Sequence, residues 1–232
     1  MADIEQLKAQ AAALALDCVQ PGMVVGLGSG STARYFTEGL GERVSRGLKV
    51  TGVPTSSDTA ALARSLGIPL SEEITGDIDL AVDGADEIDP ERRLIKGRGG
   101  ALTREKLVAL AARQVIIVAD GSKLVNRLGR GQLPVEIVPF LWRHTRDRIA
   151  SLGAACELRG GEDAPFRTDN GNLIVDLRFP EPLGDAQAMA DALKQIPGVV
   201  EHGLFVGLAD ACVIAGDGGV TILGSLPGSG RQ

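Results

Sequence analysis

Four segments of this 232-residue chain hold residue types that can bind an anion or move a proton. The first is Gly26-Leu27-Gly28-Ser29-Gly30-Ser31-Thr32. At a strand-to-helix turn, its free backbone N–H groups and the helix dipole can hold a phosphate, and Ser29, Ser31 and Thr32 add hydroxyl donors. A dinucleotide fingerprint needs glycine at the sixth position, but that residue is Ser31 counted from Gly26 and Ala33 counted from Gly28. A bound nucleotide is therefore disfavoured, and the loop by itself could also do no more than turn the chain.

The second segment, Asp83-Gly84-Ala85-Asp86-Glu87-Ile88-Asp89, places four carboxylates directly after an apolar run. It reads as a ligand-holding strand end, as a solvated acidic turn, or as a Mg²⁺ site. The third, Lys96-Gly97-Arg98-Gly99-Gly100-Ala101-Leu102-Thr103-Arg104-Glu105-Lys106, is a cationic glycine loop entering a helix and suits an anion. Glu105 falls in the first helical turn, where a glutamate can act as a base or simply stabilise the helix dipole. The fourth is Lys123 in Asp120-Gly121-Ser122-Lys123, which alone reads as a surface lysine.

Each segment follows a predicted strand, and parallel strands bring such ends to one rim. Ile4, Leu7, Ala11, Leu14 and Cys18 recur at helical spacing behind Asp3 and are stopped by Pro21-Gly22. A strand over 23–27, a helix over 32–40, a strand over 48–53, a helix capped within Thr55 to Asp58 and ending at Leu66, and a strand over 78–82 follow. With a helix over 103–112 and a strand over 115–119, this alternation predicts a parallel sheet in a layered α/β domain.

From Pro134 the pattern changes. Strands at 134–138, 154–159, 173–179 and 199–205, with helices at 140–152 and 185–195, give a βαββαβ order, the ferredoxin-like arrangement. Asn170-Gly171 supplies a hairpin signal, and 211–215 with 220–222 reads as a closing hairpin that returns to the first sheet. The expected fold is therefore α/β, an open Rossmann-like, mainly parallel domain over 1–130 plus 207–232, with a smaller ferredoxin-like α+β domain over 131–206.

The net charge of −6 and an aromatic content of 3% speak against a nucleic-acid partner. Cys18, Cys156 and Cys212 are odd in number and lack zinc-like spacing, so all three read as buried small hydrophobes. Neither a basic-then-apolar N-terminal segment nor 18 consecutive apolar residues occur, which predicts a soluble cytoplasmic protein without a membrane partner. His144, in an arginine-rich helix, reads as a surface or interface residue, and His202 as a structural one.

In order, Gly26 to Thr32, Thr55 to Asp58, Asp83 to Ile88, Lys96-Gly97 through Lys106, and Gly198-Val199-Val200 resemble the motifs of the ribose-5-phosphate isomerase A family, over nearly the whole chain. The resemblance implies interconversion of ribose 5-phosphate and ribulose 5-phosphate through a cis-enediolate, without metal or redox cofactor. It implies Glu105 as the base, Lys96 as the charge facing the developing oxyanion, and Asp83, with Asp86, handling the ring-opening proton and the sugar hydroxyls. The substrate site would comprise Ser29, Gly30, Ser31, Thr32, Asp83, Gly84, Ala85, Asp86, Lys96, Gly97, Arg98, Gly99 and Lys123, with the loop that takes the phosphate left open. A homodimer or dimer of dimers is also implied.

Two positions depart from the family pattern. Ser29 replaces a common threonine, and Arg98 stands where glycine is expected, either reaching toward phosphate or pointing away with no positive φ needed there. Rival readings are a sugar-phosphate sensor without a base, a nucleotide-dependent oxidoreductase, and an acyl-CoA transferase with a catalytic glutamate.

Overall fold

Asp3 begins the first helix by accepting the Glu5 N–H on its side chain at 3.2 Å. A computed structural model describes residues 3–71 and 73–227. The elements in chain order are α1 (Ile4–Leu16), β1 (Val24–Leu27), α2 (Ser31–Ser45), β2 (Thr51–Pro54), α3 (Ser57–Ser65), β3 (Leu80–Asp83), β4 (Glu87–Ile88), β5 (Leu94–Ile95), α4 (Leu102–Ala111) and β6 (Val115–Asp120). They continue as β7 (Leu133–Ile137), α5 (Trp142–Ala150), β8 (Ala155–Leu158), β9 (Leu173–Arg178), α6 (Ala186–Lys194), β10 (Val199–His202), β11 (Leu204–Phe205), β12 (Ala211–Gly216) and β13 (Gly219–Gly224).

The chain divides into two units, one of residues 1–85, 104–123 and 207–232, the other of residues 86–103 and 124–206. In the first, six strands run in the order β13-β12-β6-β3-β1-β2. β1, β2, β3, β6 and β12 are mutually parallel, and β13 pairs antiparallel with β12, so the closing hairpin does join this sheet. Continuous apolar runs such as Val115–Ala119 suit strands covered on both faces. Leu7, Ala11 and Ala15 of α1 and Phe36 and Leu40 of α2 pack with Val25, Leu27, Val82 and Val118 of the strands.

In the second unit β7, α5, β8, β9, α6 and β10 form a four-stranded antiparallel sheet in the order β10-β7-β9-β8. This is the βαββαβ arrangement expected from the sequence. Its core joins Val135 and Ile137 to Val175 and Leu177 of the sheet and to Ile149 and Leu193 of α5 and α6. At the β8–β9 turn Gly171 takes a positive φ of 79°, whereas Asn170 does not.

A three-stranded sheet, β11-β5-β4, was not anticipated, and through it residues 86–103 pack in the second unit rather than with the first. Its β4, β5 and β11 have two residues each, too few for an alternation to be read. The run expected as one strand over 199–205 breaks at Gly203. There the N–H donates to Pro134 O at 2.8 Å and the carbonyl accepts the Lys96 N–H at 2.9 Å. A Cβ at Gly203 would collide with the Lys96 carbonyl oxygen.

Candidate functional site

In the first unit, β6, β3, β1 and β2 lie side by side and point the same way. Their ends at Asp120, Asp83, Leu27 and Pro54 therefore share one edge, where open α/β sheets place ligands. Two backbone carbonyls at that edge are tied to the segment after β2: Thr55 Oγ1 donates to Leu27 O at 3.0 Å and Thr59 Oγ1, in the first turn of α3, to Gly28 O at 3.1 Å. Ser29 Oγ then lies 2.8 Å from Thr55 Oγ1, donates to Ser56 Oγ at 3.0 Å, and is 3.4 Å from Thr59 Oγ1. Ser56 also caps α3 by accepting the Thr59 N–H, an interaction worth about 1 kcal/mol.

Asp83 ends β3 and is buried. Its Oδ1 accepts the N–H groups of Ser29 at 3.0 Å and Gly84 at 2.7 Å, so one carboxylate oxygen orders two loops. Gly30 is the N-cap residue of α2 without a side-chain bond, Ser31 is exposed, and Thr32 is buried in the first turn. Gly28, Gly30, Arg34, Thr37, Asp58 and Thr59 line a cleft of about 200 Å³ beside these loops. Gly84 and Ala85 are half-buried, as is Lys123, which ends a short 3₁₀ turn held by the Ser122 N–H donating to Asp120 Oδ1 at 2.9 Å.

Glu105 lies in the first turn of α4 and is 5% exposed. Val108, three residues later and so on the same helix face, abuts Gly26 of β1; a Cβ at Gly26 would meet Val108 Cγ1 at 2.5 Å. Close approach of helix to strand thus explains why glycine stands at 26. Lys106, the next residue of the helix, is buried as well.

The second unit holds Asp86, Lys96, Gly97, Arg98 and Gly99. Lys96 is 3% exposed, its N–H bonded to Gly203 O and its Nζ 5.6 Å over the ring centroid of Phe205. Asp86 donates its N–H to Ile95 O at 2.8 Å and accepts the Arg98 N–H on Oδ2 at 3.0 Å. Arg98 Nε approaches Asp86 Oδ1 at 3.8 Å from a half-exposed side chain.

Gly97 and Gly100 take positive φ, 107° and 86°, whereas Arg98 and Gly99 do not. An arginine at 98 therefore fits the loop without backbone strain. Two features of the second unit were not expected from the sequence. Arg159, paired bidentately with Asp176, donates to the carbonyls of Gly97 and Arg98, both at 3.0 Å, and Glu136 is buried in mid-strand. A charge inside Leu133-Pro134-Val135-Glu136-Ile137 was the available signal for the second.

The acidic turn serves separate partners. Glu87 accepts the N–H groups of Gly129, Arg130 and Gly131, and Asp89 accepts from the Arg93 guanidinium at 2.6 Å. Among the described residues no group of three or more His, Cys, Asp or Glu side chains could hold a metal ion. His144 is exposed, and His202 is buried, its Nδ1 accepting the Leu204 N–H at 3.3 Å.

The family described as ribose 5-phosphate isomerase A (phosphoriboisomerase A) matches residues 51–219. The chain belongs to the ribose 5-phosphate isomerase A family. It is similar to ribose-5-phosphate isomerase A of Bradyrhizobium diazoefficiens, 49% identical over 95% of this chain and 96% of that one. It superposes with a TM-score of 0.91 on ribose 5-phosphate isomerase from Plasmodium falciparum, at 40% identity over 95% of this chain and 99% of that one. A D-ribose-5-phosphate isomerase in complex with phospho-erythronic acid matches equally well, with a TM-score of 0.91 and 40% identity over 97% of this chain and all of that one. This isomerase therefore has the α/β fold with parallel and antiparallel sheets that its family shares. Among the described residues of the isomerase no helix is long and apolar enough to cross a membrane.

Proposed function

We propose that this isomerase interconverts ribose 5-phosphate and ribulose 5-phosphate through a cis-enediolate, with Glu105 as the proton-transferring base. The observation that carries the reading is the burial of Glu105 and Lys96, 5% and 3% exposed, in a chain of the ribose 5-phosphate isomerase A family. Glu105 removes the proton from C2 of the open-chain aldose and returns it to C1. Positioned general base catalysis of this kind supplies about 10²- to 10⁴-fold.

Negative charge grows on the carbonyl oxygen as C2 loses its proton, and Lys96 supplies the preorganised positive charge for it. Asp83 and Asp86 act on the ring-opening proton and the sugar hydroxyls. The Ser29–Thr32 loop offers the N–H and hydroxyl donors of a helix start to the phosphate, with Lys123 adding a cation and Gly84, Ala85, Gly97, Arg98 and Gly99 lining the sugar. The complex of a relative with phospho-erythronic acid supports this reading, because that ligand joins a phosphate to a planar carboxylate shaped like an enediolate. We place the isomerase in the cytoplasm as a dimer or dimer of dimers, which light scattering tests.

The deciding experiment measures conversion of ribose 5-phosphate by the native chain and by Glu105→Gln, both in chelator. Conversion by the native chain that falls at least about 10²-fold in the folded variant supports reaction and base together. Binding of ribose 5-phosphate by the native chain without conversion overturns the reading.

A further inference from the structure

Glu136 is the fourth of the five residues of β7, with 0% exposure, and the proposed reaction makes no use of it. Four neutral donors converge on its carboxylate. Oε1 accepts from Thr168 Oγ1 at 3.0 Å, Asn170 Nδ2 at 3.1 Å and Asn172 Nδ2 at 2.8 Å, all from the β8–β9 turn. Oε2 accepts from Thr103 Oγ1 at 2.6 Å, a short bond of the kind formed by a hydroxyl and a carboxylate.

A charge-bearing group in mid-strand is costly unless every lone pair is used, so this arrangement is one in which each donor is held by the others. Thr168 is fixed further as the acceptor of the Asn170 and Asn172 N–H groups at 3.2 and 3.1 Å. The turn is thus cross-linked through Thr168, and through Glu136 it holds one residue of α4.

Thr103 is the second residue of α4, and Glu105 lies two positions further along the same helix. At 100° and 1.5 Å per residue, Glu105 emerges about 200° round the helix from Thr103 and about 3 Å along it. A grip on Thr103 from one flank therefore sets the rotation of the first turn and with it the direction in which Glu105 leaves the other flank. First turns otherwise fray readily, because their N–H groups have no partner inside the helix. A carboxylate at that end also complements the positive end of the helix dipole.

We propose that Glu136 is a positioning residue for the base of this isomerase, acting through the Thr103 hydroxyl on the helix turn that carries Glu105. The inference rests on the reading of Glu105 as the base. It requires that loss of the Thr103 hydroxyl lower the chemical step while leaving substrate binding in place.

The test compares Thr103→Val, Thr103→Ser and Glu136→Gln with the native chain and with Glu105→Gln, reading kcat and KM for ribose 5-phosphate alongside the thermal melting curve. Thr103→Val keeps the side-chain shape and removes the donor, and is expected to lower kcat about 10- to 100-fold with KM within about twofold of native, the scale of a misplaced catalytic group. Thr103→Ser restores the donor and recovers most of the lost kcat. Glu136→Gln can still meet Thr103 Oγ1 through its amide N–H, so it is expected to lose less kcat than Thr103→Val, and combining the two adds little to the loss of Thr103→Val alone. A folded Thr103→Val with native kcat beside an inactive Glu105→Gln overturns this inference alone. Native activity in Glu105→Gln overturns the base assignment and this inference with it.

Discussion

The Ser29 N–H and the Asp83 Oδ1 meet at 3.0 Å across 54 residues of sequence, joining the loop after β1 to the end of β3. Gly28 makes the approach possible, since a Cβ at position 28 would clash with the Asp83 side chain and stand 2.5 Å from its Cα. Gly28→Ala must therefore push the two loops apart. Overpacking of this kind costs about 1–3 kcal/mol, and each kcal/mol lowers the melting temperature of a chain this size by about 2–4 °C. Calorimetry and steady-state kinetics together check the expectation of a lower melting temperature with a raised KM for ribose 5-phosphate. A variant that melts as native would show that the loops separate without cost.

Lys96 is held on both sides, by the bond from its N–H to Gly203 O and by the Phe205 ring 5.6 Å beneath its Nζ. An ammonium so placed is a compact point charge, and a planar guanidinium is no substitute for it. Lys96→Ala and Lys96→Arg are both expected to lower kcat by about 10²- to 10³-fold, the usual cost of removing a preorganised oxyanion partner. Retention of half the native kcat by Lys96→Arg would remove Lys96 from the chemical step.

The Lys96–Gly100 loop separates two neighbouring positions by what their backbones require. Arg98 has ordinary φ and pairs only loosely with Asp86, Nε to Oδ1 3.8 Å, so Arg98→Gly is expected to fold as native and change KM by no more than about fivefold, the scale of an exposed ion pair. Gly100 has φ 86°, and a Cβ there would meet the Phe166 ring at 2.5 Å, so Gly100→Ala should lower the melting temperature and raise KM. A tenfold or larger rise in KM for Arg98→Gly would instead mark the guanidinium as a phosphate ligand.

The helices and long strands were legible because their signals are local: Ile4, Leu7 and Ala11 repeat at helical spacing, and Val115 to Ala119 is an unbroken apolar run. Strands of two residues carry no period, so β4, β5 and β11, and with them the true surroundings of Lys96, could not be read. Of the candidate site, Ser29 and Asp83 stood out by residue type at strand ends, Glu105 at a helix start and Lys96 in a cationic glycine loop. Arg159 did not, because a guanidinium whose partners lie 17 to 62 residues away looks like any other charge in a linear sequence, whereas Glu136 was marked only by being a charge inside an otherwise apolar strand.

Of the three cysteines expected to be buried only Cys212 is, Cys18 and Cys156 being half-buried, and Cys156, in the edge strand β8, offers a prediction outside the site. Burial pushes its thiol from 9.0 up to about 11, with the nearby Arg146 opposing and Asp147 reinforcing the change. Only the thiolate is nucleophilic, so alkylation of Cys156 by iodoacetamide in the folded protein should be slow at pH 8 and rise as pH approaches about 11 rather than 9. The same shift has a sign for stability. The folded value exceeds the unfolded one, so the unfolded chain releases the proton first as pH rises. The contribution is therefore fully present below about 9 and is lost as pH rises through about 11. Cys156→Ala removes that titration, so its melting temperature should decline less than that of the native chain between pH 9 and pH 11. Equal declines in the two proteins, or rapid alkylation at pH 8, would place the thiol in water.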